Sequence, residues 1–180
     1  MKFTDTQLKG AFVVEIAPVS DNRGFFSRTF CAREFEEHGL KPTVVQANLS
    51  FNHRRGTLRG MHYQQQPAAE SKLVRCTAGA IYDVIIDLRP NSPTYLQHVG
   101  VELTADNRKA LYVPELFAHG YLTLTDNAEM AYQVGEFYAP GYERGLRYDD
   151  PKFGIQWPVG IAVISDKDAE WAPFSAGSLP

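Results

Sequence analysis

The sequence predicts an all-β fold, a double-sheet jelly roll, and three observations carry that reading. Short runs of β-branched and aromatic residues recur at close spacing, turn-forming clusters separate them, and only one segment has the pattern of a helix. The same pattern suits other all-β sandwiches and barrels, so it fixes a class and not a topology.

In chain order, the helix is expected over residues 31–38, Cys-Ala-Arg-Glu-Phe-Glu-Glu-His, with Gly39 placed as its C-terminal cap. Strands are expected over 72–76, 80–88, 97–103, 110–113, 121–124 and 130–134, where Val, Ile, Leu and Tyr dominate. Between them, Ala78-Gly79, Pro90-Asn91-Ser92-Pro93, Ala105-Asp106-Asn107 and Asp126-Asn127 suit hairpins and tight connections. The apolar run 161–164 reads as a last strand, and Ser165-Asp166-Lys167-Asp168 as the polar turn after it. Repeats, low-complexity tracts and linkers are absent, so residues 1–180 are expected to form a single domain.

Charge excludes some partners. Lys and Arg total 18 against 21 Asp and Glu, a net −3, which gives no electrostatic excess for nucleic acid or an anionic membrane. Residues 1–5, Met-Lys-Phe-Thr-Asp, include polar residues where a secretory signal needs an apolar run, and nothing approaches the roughly 18 apolar residues of a membrane span. Cys31 and Cys76 lack the close-spaced Cys or His partners of a disulfide framework or zinc site. A cytoplasmic protein with two inert thiols is the expectation.

Side chains alternate along a strand, so Lys72 shares a face with Val74 and Cys76, and Tyr132 with Met130 and Val134. On parity alone, Lys72 reads as a strand-end lysine reaching out to water, and Tyr132 as a core tyrosine with a satisfied hydroxyl. His62, in Arg59-Gly60-Met61-His62-Tyr63-Gln64, and His119, in Phe117-Ala118-His119-Gly120, are candidate proton carriers or structural histidines. Metal-binding barrels of the cupin kind usually offer a His-x-His pair, and Gln64 stands where the second His belongs, so no metal is expected. Arg23, Arg59, Lys72 and Lys167 could together hold a diphosphate.

These motifs form an ordered set with Asp21-Asn22-Arg23-Gly24-Phe25-Phe26, Gln46-Ala47-Asn48, Lys72-Leu73-Val74-Arg75 and Tyr138-Ala139-Pro140. Ile155-Gln156-Trp157-Pro158 and Ser165-Asp166-Lys167-Asp168 complete it. The set closely resembles the dTDP-4-dehydrorhamnose 3,5-epimerase family across about residues 1–174. That resemblance implies a cupin-like jelly-roll barrel with a few short helices, and a homodimer sharing N-terminal strands. It also implies epimerisation at C3, C5 or both of a nucleoside-diphosphate 4-keto-6-deoxy sugar, without cofactor. His62 would be the base, oriented by Asp168, Tyr132 the acid on the opposite ring face, and Lys72 the cation at the C4 oxygen. Arg23, Arg28, Gln46, Asn48, Arg59, His119, Tyr138, Glu143 and Lys167 would bind substrate.

One residue departs from the family pattern: Arg28 stands where relatives place a Glu that contacts the nucleotide. Thymine and uracil present an N3–H donor, which a carboxylate accepts and a guanidinium does not. The swap opens CDP- and GDP-linked sugars, unless Arg28 turns to solvent or pairs with Glu34 or Glu36. The competing readings are a metal-dependent cupin enzyme and a non-catalytic sugar-nucleotide-binding cupin.

Overall fold

The computed structural model describes residues 1–175. The chain opens with β1 (Lys2–Asp5), β2 (Phe12–Glu15), β3 (Val19–Asp21) and β4 (Gly24–Phe26), then α1 (Ala32–Glu37). β5 (Gln46–Asn52), β6 (Leu58–Gln64), β7 (Lys72–Ala78), β8 (Ala80–Asp87) and β9 (His98–Thr104) follow. β10 (Ala110–Val113), β11 (Phe117–Thr123), β12 (Ala128–Val134), β13 (Glu143–Gly145) and α2 (Asp166–Ala169) complete it.

Two antiparallel sheets form the sandwich, ordered β1-β2-β10-β7-β12-β5 and β13-β6-β11-β8-β9, with β3 and β4 paired apart as a hairpin. Between the sheets lies an apolar core that includes Val74, Ile81, Ile85, Leu111, Phe117 and Met130. The other face of the five-stranded sheet is covered by the C-terminal segment, where Leu146, Phe153, Ile155 and Trp157 pack on Met61, Tyr63 and Val84. Phe35 of α1 packs with Val14, Leu73 and Tyr112 on the outer face of the six-stranded sheet. Burying apolar side chains on three levels, at about 25 cal/mol per Å², is what holds so little helix and so many short strands together.

All six expected strands are present, three of them longer than expected, and α1 begins one residue after and ends one residue before its expected bounds. The turn dipeptides act differently from hairpins. Ala78-Gly79 joins β7 to β8, and Asp126-Asn127 joins β11 to β12, each pair lying in opposite sheets. Left-handed backbone at Gly79 (φ 71°) and Asn127 (φ 53°) turns the chain across the sandwich, so these are corners. Two further expectations are corrected. Residues 161–164 make only an isolated bridge, Thr57 with Val163, and residues 166–169 are helical because the Ser165 side chain accepts the Asp168 N–H and caps α2.

Candidate active site

The sandwich brings the two sheets' inward residues to one cavity of about 280 Å³. On the five-stranded side, His62 of β6 and His119 of β11 are register partners. On the six-stranded side, Tyr132 of β12 lies opposite Val74 of β7, and Lys72 opposite Val134. His62, Lys72, His119, Tyr132 and Asp168 all line this cavity, together with Arg59 and Lys167.

Local sequence explains why β6 can present His62 there. Gly60 has φ of 107°, and a Cβ on it would stand 2.6 Å from Gly120 Cα and 2.6 Å from the His119 carbonyl oxygen. Only glycine allows so close an approach, and β6 and β11 shift register at this point. The Gly60 N–H, freed from the ladder, donates to Asp168 Oδ2 at 3.1 Å. Leu58 N–H donates to the Val163 carbonyl at 2.8 Å, which draws the C-terminal segment alongside β6 and delivers Asp168.

Asp168 Oδ1 lies 2.6 Å from His62 Nε2. A neutral imidazole facing a carboxylate carries its proton on that nitrogen, which leaves the Nδ1 lone pair for other work. Burial pushes the Asp168 carboxyl up, but hydrogen bonds from His62, the Gly60 N–H and Ser165 outweigh it and hold the group below its ordinary value. Asp168 is therefore a carboxylate at neutral pH, and its hydrogen bond fixes the His62 ring and its tautomer. Burial, and then the charge of Glu70, raise the Tyr132 hydroxyl above its ordinary value, so it keeps its proton and can donate it.

Lys72 does not reach out to water as parity suggested. It is buried, and its Nζ contacts Glu70 Oε1 at 2.9 Å. A buried ammonium needs such a partner, and Glu70 supplies it from the loop before β7. His119 Nε2 lies 2.8 Å from Oδ1 of Asp83, a fully buried carboxylate. Arg59 is steadied by its Nε–H to Asn52 Oδ1 at 2.8 Å.

A second compartment of about 160 Å³ shares His62, Lys72 and Tyr132 with the first and is walled by Gln46, Asn48, Tyr138 and Glu143. Lys167 Nζ bonds Glu143 Oε2 at 2.6 Å, tying α2 to β13 across the mouth. Arg23 and Arg28 lie elsewhere. Arg23 pairs with Asp21 on the β3–β4 hairpin, and Arg28 Nη1 donates to Glu34 Oε1 at 3.1 Å. Sequence reasoning missed Asp83 and Glu70. Asp83 was findable, as the lone carboxylate between Ile81 and Ile85 on an inward face, whereas Glu70 sits in a loop with no periodicity to mark it.

A family model described as dTDP-4-dehydrorhamnose 3,5-epimerase matches residues 5–176. A dTDP-4-dehydrorhamnose 3,5-epimerase from Methanothermobacter thermautotrophicus is 43% identical over 176 residues, which is 96% of this chain and 94% of the relative. The crystal structure of the enzyme of that name from Elizabethkingia anophelis superposes with a TM-score of 0.94 at 37% identity, covering 97% of this chain and 96% of that one. A dTDP-6-deoxy-D-glucose-3,5-epimerase from Legionella pneumophila, in complex with dTDP-4-keto-L-rhamnose, gives 0.92 at 38% identity, covering 99% and 97%.

Proposed function

Because the chain belongs to the dTDP-4-dehydrorhamnose 3,5-epimerase family, it is a sugar-nucleotide isomerase, and we propose that it inverts carbons flanking the C4 ketone of a thymidine-diphosphate 4-keto-6-deoxy sugar. The observation that carries this reading is the placing of a His–carboxylate pair and a protonated tyrosine on opposite sheets of one cavity. His62 Nδ1 takes the proton from the carbon next to the ketone, and the electron pair delocalises onto O4 as an enolate. Lys72 faces that oxygen and stabilises the charge where it develops. Tyr132 returns a proton from the other face, which inverts the centre, and both groups re-equilibrate with solvent. The ketone is the electron sink, so this route draws on no redox cofactor.

Thymidine is favoured over cytidine or guanosine because Arg28 is engaged with Glu34 and the relatives' substrate names are thymidine-linked. The chain acts in this reading as a cytoplasmic homodimer. Val19 and Phe26 on the β3–β4 hairpin are 73% and 77% exposed, a costly display of apolar surface unless a second copy covers it. Exchange of that hairpin would carry Arg23 to the partner's cavity. Among the described residues no helix is long and apolar enough to cross a membrane.

The test is proton NMR in D₂O with dTDP-, CDP- and GDP-linked 4-keto-6-deoxy sugars. Deuterium entering C3, C5 or both of the dTDP sugar, with inversion, is the expected result. Binding without exchange would establish a non-catalytic module instead.

A further inference from the structure

Gln64, which ends β6, is 2% exposed, and both its amide nitrogen and its oxygen are hydrogen-bonded. Its Nε2 donates to the Ala68 carbonyl at 2.9 Å and to the Phe137 carbonyl at 3.1 Å, and its Oε1 accepts the Ala139 N–H at 2.7 Å. Tyr138, between those last two residues, gives its own N–H to Gln46 Oε1 at 3.1 Å. Two glutamines, one from each sheet, thus hold the backbone of three consecutive residues. The tyrosine they fix is 59% exposed and walls the outer compartment.

Only an amide offers two donors and an acceptor at these places. A glutamate of the same shape would set its carboxylate against two carbonyls, and a methionine would leave three backbone groups without partners. We propose that Gln64 is a positioning residue: its carboxamide fixes the loop carrying Tyr138 and thereby sets affinity for the nucleotide, without touching the reacting carbons. This rests on the sugar-nucleotide reading above, and it explains why Gln stands where metal-binding barrels carry a second His.

The test compares Gln64→Glu, Gln64→Met, Tyr138→Ala and the Gln64→Met/Tyr138→Ala double variant. Gln64→Met should raise KM for the dTDP sugar at least tenfold while kcat stays within threefold. In the Tyr138→Ala background the same change should add less than threefold, because residues acting through one contact are not additive. Gln64→Glu should show a KM that improves as pH falls toward carboxyl protonation, which restores a donor, a trend wild type lacks. An unchanged KM, or a double variant in which the two effects multiply in full, overturns the proposal. Amide hydrogen exchange without substrate decides independently of turnover. Tyr138 and Ala139 should exchange faster in Gln64→Met while β8 amides keep their rates, and a general acceleration would reduce Gln64 to fold stability alone. Should wild type turn over none of the sugars, the epimerase reading fails, and the exchange data still judge the clamp.

Discussion

Asp168→Asn is the sharpest test of the proposed base. The side chain keeps its volume, so the buried site is not emptied, but the charge facing His62 is gone. The 2.6 Å contact to His62 Nε2 is charge-assisted, a class that contributes about 1.5–3 kcal/mol. At about 1.4 kcal/mol per tenfold, its loss alone slows deprotonation roughly ten- to hundredfold. A second effect adds to this. The Gly60 N–H at 3.1 Å from Oδ2 selects the amide oxygen for that side, which turns the new NH₂ toward His62. Nε2 must then accept, the ring proton moves to Nδ1, and the lone pair that faces the sugar disappears. The analogous change in a serine-protease triad costs about 10⁴ in kcat through the same wrong tautomer. Asp168→Asn should therefore lose at least a hundredfold in kcat, with deuterium entry at every exchanging carbon falling in parallel. Exchange within threefold of wild type, in a variant whose melting temperature shows it folded, would refute both the tautomer argument and His62 as base.

Other outcomes follow from the same geometry. Tyr132→Phe should leave solvent exchange measurable by NMR while net inversion falls steeply, since deprotonation needs only His62. Lys72→Met should lower kcat about a hundred- to a thousandfold, the effect of losing one preorganised oxyanion donor. Because the native Asp168 carboxyl lies below its unfolded value of about 3.9, its ionisation adds stability above about pH 4 and loses it as pH falls through the lowered native value. Urea midpoints of wild type and Asp168→Asn should accordingly differ at pH 7 and converge below about pH 4. Prolonged chelator treatment should leave turnover unchanged, and recovery of lost activity on adding a divalent ion would revive a metal-dependent reading.

What could be read from sequence depended on which face of a strand meets what. β7 to β12 were legible because both their faces, or one, bury Val, Ile, Leu and Tyr. β5 was not, since its pattern is inverted. Ser50 and Asn52 turn inward, while Leu49 and Phe51 point outward and are exposed. A strand that walls a polar cavity on one side and exposes apolar side chains on the other looks like a loop. β3 and β4 are exposed along their whole length, so no burial periodicity marks them. In the site, ordered motifs placed His62, Tyr132 and Asp168, but neither motif nor parity revealed that Lys72 is buried beside Glu70, because that partner comes from a loop.

The cavity is lined by two histidines on paired strands, each backed by a carboxylate, and their surroundings argue for different tasks. Asp168 is shared among His62, a backbone N–H and a capping serine, whereas Asp83 Oδ2 has no partner among the described residues and Oδ1 has His119. The His62 side chain is 30% exposed and that of His119 is 8%. A base that incorporates solvent deuterium must exchange its own proton with water in each cycle, which the open ring can do and the enclosed one does slowly. A ring clamped to a fully buried carboxylate is instead suited to a fixed contact whose position, not its proton traffic, matters. Taken singly in the sequence the two histidines are equivalent, and only the resemblance casts one as base and the other as binding contact; the carboxylate behind each, one delivered by the C-terminal segment and one built into β8, supplies a physical reason for that proposed division.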